Sequence, residues 1–153
     1  MAALFDIVET TPTLLAMVRC KAQQRDVPQA LVAGLDKIYA VLRAHGARSG
    51  RNVAVYIDMT DGVVTFQAGV EIDARFEQQG EVVVSATPGG RAAHVVHIGD
   101  YASMAATTMA AMQAMIAQKL PVGGLNWEVY GEFEEDPAKR RVDIYFGLKG
   151  QGV

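Results

Sequence analysis

The sequence predicts an α+β fold built from a duplicated β-α-β-β unit, with one curved antiparallel sheet that carries two helices on one face and a ligand cleft on the other. Two observations support this prediction. Extended and helical segments follow one another in the same order in both halves of the 153-residue chain. In addition, the heptapeptides that begin at Gly50 and at Gly124 share Gly, Asn, Val and Tyr at matching places. We therefore expect a single domain, residues 1–153, with pseudo-repeats spanning about 1–80 and 81–153.

The first half opens with two extended segments, Leu4 to Glu9 and Thr13 to Lys21. Pro12 separates them because proline cannot donate to a strand ladder, so we expect a short or kinked strand pair. A helix of about 18 residues is then predicted, with Asp26 as its N-cap and Pro28 in its first turn. The helix closes at His45-Gly46. Its apolar side chains recur at three- and four-residue spacing: Leu31, Leu35, Ile38 and Leu42.

A β-hairpin follows this helix. Residues Asn52 to Met59 and Val63 to Ile72 are rich in strand-forming side chains, and Asp61-Gly62 lies between them. An Asp-Gly pair between two such runs is a strong hairpin signal.

The second half repeats this order. A strand from Arg91 to Ile98 leads to Asp100, a suitable N-cap, and to a helix from Tyr101 to about Lys119. Two further strands are predicted at Leu125 to Phe133 and at Arg140 to Lys149.

Composition limits the class of protein. Apolar residues make up 50% of the chain, charged residues 20%, and the net charge is −3, which is typical of a globular protein and unfavourable for direct nucleic-acid binding. Because the repeats use the whole of this sequence, we expect no DNA-binding domain, and any transcriptional role would need a partner. The single cysteine, Cys20, fits a reducing compartment, and neither a signal peptide nor a membrane-spanning run is present, so a cytoplasmic location is expected.

No cofactor or metal is predicted. His94 and His97 are three residues apart on a predicted strand, so they point to opposite faces of the sheet and cannot chelate one ion. His45 is distant in sequence.

Three separated motifs occur in the order found in one known family: PGGRAAHVVHIGDY at 88–101, WEVY at 127–130 and VDIYFGLK at 142–149. With them the chain resembles the GyrI-like small-molecule-binding domain, the effector-binding module of AraC-type and MerR-type multidrug regulators, in its stand-alone form. Two positions depart from the family pattern, since Asp100 stands where the family usually has Pro, and Gly147 also replaces a Pro.

The resemblance implies a cleft between the repeats, lined by aromatic residues around a central acid that can meet lipophilic cations. Glu128 matches that acid by its place in the WEVY motif. Some stand-alone relatives of this kind look like hydrolases of strained electrophiles that use the same acid, and others bind a protein partner.

Strand alternation places Glu128 and Tyr130 on one face and Trp127 on the other. Because the repeat matches Glu128 with Ala54 and Tyr130 with Tyr56, we expect an unpaired carboxylate flanked by two tyrosines in the cleft. Desolvation would raise the pKa of such a carboxyl, which would make it a counter-charge for a cation or a general base. The alternative is a hydrogen-bonded structural glutamate.

The remaining candidates are aromatic. Tyr145 is a further cleft candidate, whereas Asp143 on the same strand face would pair with Arg141 or Lys149. Trp127 would stack on a ligand or, as we favour, pack under the helices. Tyr101 would contact the ligand or pack between helix and sheet. The proposed ligand contacts are therefore Glu128, Tyr130, Tyr56, Tyr145, Trp127 and Tyr101.

The second helix has no charged residue from Ala102 to Gln118. Its methionines spread over more than one face, so we expect part of residues 101–119 to be covered by a second subunit, with plain surface as the alternative.

The leading functional hypothesis is a sensor or sequestering module for a lipophilic, cationic or aromatic small molecule. The alternatives are a small hydrolase of electrophilic compounds with Glu128 as general base, and a protein-binding inhibitor.

Overall fold

The computed structural model describes residues 4–149. Within that range it contains eight strands, paired antiparallel wherever the register is described, and two α-helices, which confirms the α+β class. The strands are β1 Asp6–Thr10, β2 Leu14–Gln23, β3 Ser49–Thr60, β4 Val63–Ile72, β5 Val83–Ala86, β6 Gly90–Ile98, β7 Val122–Tyr130 and β8 Arg141–Leu148; the helices are α1 Val27–His45 and α2 Met104–Ala117.

The chain forms two compact units. One contains Pro12–Thr87, and the other contains the chain up to Thr11 together with the chain from Pro88 onward. Each unit contains the predicted β-α-β-β series, β2-α1-β3-β4 in the first and β6-α2-β7-β8 in the second. Among the residues described, no helix combines the length and apolarity needed to cross a membrane.

In the Pro12–Thr87 unit, helix α1 begins and ends close to the predicted residues. Proline lies in its first turn, and Gly46 closes it in the left-handed conformation with φ of 63°. The Gly46 amide donates to the carbonyls of Arg43 and Leu42, so a residue without a Cβ satisfies the end of the helix. Asp26 stands at the N-cap position, although its side chain makes no capping hydrogen bond.

The predicted hairpin joins β3 and β4. Asp61 and Gly62 have φ of 53° and 77°. Two consecutive residues with positive φ are what a tight hairpin with the right-handed strand twist requires, and Asp-Gly supplies them at low cost.

The core of this unit lies between α1 and the neighbouring strands β2 and β4. Alternate residues of the two strands face the helix, and the cluster consists of Ala16, Val18, Ile38, Leu42, Ala68, Val70, Ile72 and Val82. Alternation with period two on the strands and the helical stripe of α1 therefore meet in one apolar layer.

The expected pairing of the first two extended segments is wrong. Strand β1 pairs with β6, with Ile7 opposite Ala93, whereas β2 is flanked by β4 and β5. Because both edges of β2 are occupied, β1 has no place beside it. The Thr10 hydroxyl donates to the Gly90 carbonyl at 2.8 Å and helps to fix β1 in the other unit.

In that other unit the strand order is β1-β6-β8-β7. The predicted N-cap is confirmed, since the Asp100 carboxylate accepts from the Ser103 amide at 2.9 Å. The first turn, Tyr101–Ser103, is a 3-10 turn, and α2 follows. Helix α2 packs on the sheet through a cluster of buried side chains: Ala93, Val95, Ala111, Met115, Val142, Ile144 and Phe146.

Candidate functional site

Strand β7 carries the WEVY motif, and its register with β8 decides which way each side chain points. Glu128 lies opposite Ile144 and Tyr130 opposite Val142. Ile144 and Val142 belong to the cluster beneath α2, and Tyr130 packs against that cluster. Because directly paired residues share a face of the sheet, Glu128 and Tyr130 lie on the face that α2 covers.

The predicted assignment of faces is therefore wrong. Trp127, expected under the helices, lies opposite Tyr145 on the face away from α2, and Glu128 and Tyr130, expected away from the helices, lie on the helix side. The alternation itself was predicted correctly. Alternation along a strand defines two faces but does not say which of them a helix covers. The packing of α2 on β6 and β8 decides which set of side chains lies under the helix.

Glu128 is not the unpaired carboxylate that the repeat suggested. The Tyr130 hydroxyl donates to Glu128 Oε1 at 2.8 Å. The two residues are two positions apart on β7 and therefore neighbours on one face of the strand, so the phenol of Tyr130 reaches along the strand to the carboxylate of Glu128. A phenol that donates to a carboxylate stabilises the ionised form of the acid.

Tyr101 stands next to this pair. Its ring meets the Tyr130 ring edge to face, with centroids 5.9 Å apart and an interplanar angle of 84°. The guanidinium of Arg140 lies over the Tyr101 ring, 5.2 Å from its centroid. Tyr101 therefore packs against Tyr130 of the sheet while 49% of it is exposed, and its contact with a ligand stays a prediction.

Three rings form a ladder on the opposite face of this unit. Trp127 stacks on Tyr145 at 4.9 Å, and Tyr145 stacks on His94 at 4.7 Å. Cross-strand pairing explains the order, since Tyr145 lies opposite both Trp127 on β7 and His94 on β6. Trp127 is only 3% exposed, so the ring that β7 contributes to the ladder is buried.

Asp143 borders this ladder. It accepts from Arg141 Nη2 and Nε at 2.9 and 3.0 Å, and the His94 ring lies 2.7 Å from its Oδ1. The predicted pairing with Arg141 is confirmed. Burial favours the protonated acid, but the hydrogen bonds from Arg141 and His94 outweigh it and hold the pKa of Asp143 below its usual value.

In the other unit, the matching residues of the repeat also face the helix of their own unit. Ala54 lies opposite Ala68, which is buried under α1, and Tyr56 lies opposite Phe66, with ring centroids 6.1 Å apart. Thus Ala54 and Tyr56 face α1 as Glu128 and Tyr130 face α2. The predicted approach of Tyr56 to Glu128 in a cleft between the repeats stays a prediction.

Sequence reasoning missed His97 and Arg140. His97 is 3% exposed and hydrogen-bonds to the segment that carries Tyr101, and Arg140 lies over Tyr101 itself. The sequence considered His97 only as a metal ligand. Its place three residues before the capping Asp100, on the inward side of an alternating strand, was the signal that could have found it.

Residues 4–149 thus form eight antiparallel strands and two α-helices in a repeated β-α-β-β order. An acid and a tyrosine lie on the helix side of β7, and these features together define a class of small α+β domains. The chain belongs to the GyrI-like small molecule binding domain family, whose model matches residues 5–149.

Solved structures share this fold at low sequence identity. The C-terminal domain of EcmrR aligns with a TM-score of 0.78 and 16% identity, covering 94% of this chain and 97% of that chain. SAV2435 bound to tetraphenylphosphonium aligns with a TM-score of 0.67 and 11% identity, covering 95% and 94%. A hydrolase from Listeria innocua aligns with a TM-score of 0.63 and 11% identity, covering 93% and 90%. A comparison with curated proteins gave no match.

Proposed function

We propose that this domain binds a lipophilic aromatic cation at Glu128 and acts as an effector sensor or as a sequestering module. The observation that carries the proposal is the Glu128 carboxylate, which accepts from the Tyr130 hydroxyl at 2.8 Å, while the Tyr130 ring in turn contacts the Tyr101 ring. A carboxylate among aromatic rings attracts a delocalised cation by charge and by cation–π contact. Membership of a small-molecule-binding family and the tetraphenylphosphonium complex of a structural neighbour support this choice.

In this proposal the ligand contacts are Glu128, Tyr130 and Tyr101, which all belong to the unit that contains helix α2. Glu128 supplies the counter-charge, and the tyrosines supply ring faces and edges. Trp127 and Tyr145 point to the opposite face of the sheet, so we assign them a supporting role: their stacking holds β7 and β8 in register.

The proposal predicts that tetraphenylphosphonium stabilises the wild-type protein and that Glu128→Gln removes most of that stabilisation. A ligand present at a hundred times its Kd adds about 2.7 kcal/mol to the free energy of unfolding, which a thermal-shift assay resolves. A neutral aromatic such as triphenylphosphine oxide should stabilise wild type and Glu128→Gln about equally, because a neutral ligand gains nothing from the negative charge that the substitution removes.

Glu132→Gln is the matched control. Glu132 lies just beyond β7 and is exposed, so its replacement changes the net charge equally while the Glu128 carboxylate stays in place. The proposal would be contradicted if the cation did not stabilise the wild type, or if Glu128→Gln and Glu132→Gln lost the stabilisation by the cation to the same extent.

A hydrolase that uses Glu128 as general base is the second candidate. The same hydrogen bond favours it, since Tyr130 is placed to orient the carboxylate or to pass a proton. A structural neighbour described as a hydrolase gives a precedent for the fold. Turnover of an electrophilic aryl ester that Glu128→Gln abolishes and Glu132→Gln retains would favour catalysis over binding alone.

A further inference from the structure

Arg140 brings a positive charge to the Tyr101 ring in the unit that contains α2. Its guanidinium carbon lies 5.2 Å from the centroid of that ring, within the distance at which an aromatic face attracts a cation. The Tyr101 ring in turn meets Tyr130, whose hydroxyl donates to Glu128. The site proposed for a cationic ligand therefore has a cation of the protein itself over one of its rings.

The guanidinium is held in this position at two points. Its Nε donates to the Glu134 carbonyl at 3.1 Å, which ties the side chain to the connection between β7 and β8. The Arg140 carbonyl accepts from the Gly99 amide at 2.8 Å, two residues before Tyr101. Because the backbone of Arg140 is bonded to the segment that carries the ring, the ring and the cation are positioned together.

The connection that leads to Arg140 has hydrogen bonds of its own. The Asp136 carboxylate accepts from the Ala138 amide at 3.0 Å and caps the 3-10 turn Pro137–Lys139. The Arg140 amide then donates to the Pro137 carbonyl at 3.3 Å, so the turn leads directly into Arg140. Local structure within this connection therefore determines where the guanidinium stands.

The charge of Arg140 acts on its surroundings. Its side chain contacts a carbonyl oxygen and an aromatic ring, both of which are uncharged. Hydrogen bonds from Ser103 hold the pKa of Asp100 below its usual value, and the charges of His97 and Arg140 lower that pKa further by a smaller amount. Arginine is not deprotonated in proteins, so a second cation that approaches the Tyr101 ring meets a permanent like charge.

From this geometry we infer that Arg140 is a specificity-determining residue that competes with cationic ligands for the Tyr101 ring. A ligand cation that stacks on the covered face must displace the guanidinium, and a cation elsewhere around the ring is repelled by it. A neutral aromatic ligand is not repelled and does not need the electron-rich face. Arg140 thus lowers the affinity of the site for cations relative to neutral aromatic ligands. The inference rests on the proposed function, in which Tyr101 is a ligand contact.

A double-mutant cycle with Tyr101→Leu and Arg140→Gln tests the contact without a ligand. An exposed cation–π contact should appear as a coupling of about twofold to fivefold in the unfolding equilibrium constant, measured with urea. Glutamine keeps an N–H donor for the Glu134 carbonyl, so the substitution removes mainly the charge. The same cycle with Lys139→Gln, at an exposed neighbouring position, should show no coupling. Absence of coupling between Tyr101 and Arg140 overturns the inference.

Tetraphenylphosphonium and triphenylphosphine oxide test the competition. At one fixed ionic strength, Arg140→Gln should bind the cation about threefold to tenfold more tightly than the wild type, because the ring face is released and the repulsion is removed. The affinity for the neutral oxide should change by less than about twofold, since an uncharged ligand gains little from the loss of a positive charge. Lys139→Gln removes an equal charge from an exposed side chain, so both affinities should stay within about twofold of the wild type.

The binding measurements separate two failures. If the wild type binds the cation and Arg140→Gln binds it equally or more weakly, this inference alone is overturned. An equal gain for the neutral oxide, or an equal gain in Lys139→Gln, overturns it as well. If neither the wild type nor Arg140→Gln binds the cation, the proposed function fails and the competition fails with it.

Arg140→Lys keeps the test decisive if Arg140→Gln does not fold. An ammonium group is more strongly hydrated than a guanidinium and has no plane to lay on a ring, so lysine should hold the Tyr101 face less tightly. Arg140→Lys should therefore bind tetraphenylphosphonium about twofold to threefold more tightly than the wild type. Equal or weaker binding by Arg140→Lys overturns the inference.

Discussion

At the scale of single residues, Asp143 shows how a buried acid becomes a structural element. It accepts two hydrogen bonds from Arg141 and lies 2.7 Å from His94, and these contacts lower its pKa despite burial. A group whose pKa is lower in the folded than in the unfolded state stabilises the fold above the unfolded value and loses that contribution as the pH falls.

We therefore expect Asp143→Asn to lower the free energy of unfolding at pH 7 by about 1–3 kcal/mol, because it removes a buried acceptor for charged donors. The difference in free energy of unfolding between wild type and variant should shrink as the pH drops below about 4, the ordinary pKa of an aspartate. Urea unfolding from pH 7 to pH 3 measures both effects. Asp36→Asn, an exposed position on α1, is the control, and a difference independent of pH would contradict this account.

At the scale of secondary-structure elements, the close approach of β7 and β8 explains why glycine stands at 147. The register of the two strands shifts between Val122 and Asn126, and a Cβ on Gly147 would lie 2.6 Å from the Leu125 carbonyl oxygen. Gly124 is equally confined by the backbone of Gly147, at 2.8 Å. The departure from the family pattern at Gly147 thus accompanies a local contact between backbones.

Gly147→Ala should therefore destabilise the protein by about 2–3 kcal/mol, since backbone atoms cannot move aside as a flexible side chain can. Gly46→Ala provides the comparison: no atom lies within 4 Å of its added Cβ, and only the positive φ opposes it, at a cost of about 1 kcal/mol. Thermal unfolding of both variants should give the larger loss for Gly147→Ala. The reverse order would show that the strands can separate at little cost.

At the scale of the whole molecule, α2 is the element whose surface composition is unusual. It has no charged residue, and Met109 and Ile116 are 62% and 61% exposed. Because exposed apolar surfaces of this kind often mark contacts between proteins, we propose a homo-oligomer that forms through residues 101–119.

Light scattering coupled to size exclusion should give a mass of at least two chains for the wild type at high concentration. The double substitution Met109→Glu and Ile116→Glu should give a monomer, because two charges would lose their hydration in an apolar contact. Val32→Glu on α1, where Val32 is 57% exposed, is the control for a surface change elsewhere. A strictly monomeric wild type would contradict the prediction.

The sequence by itself determined the features that depend on local chemistry. Helical spacing and Gly46 set the extent of α1, Asp61-Gly62 set the hairpin, and Asp100 set the start of the second helical segment. The order of elements and the family motifs were sufficient for the fold class, whereas the choice of Glu128 as a ligand contact rests on the same motifs and stays a prediction. Each of these depends on contacts within a few residues or on a pattern that the chain itself displays.

Only the tertiary structure decided how these elements meet. It paired β1 with β6, placed Glu128 rather than Trp127 under α2, gave Glu128 its hydrogen bond from Tyr130, and brought His97 to the turn that carries Tyr101. The physical reason is that strand alternation defines two faces without saying which one is covered. That choice follows from the packing of residues far apart in sequence, where burial of apolar area selects one side.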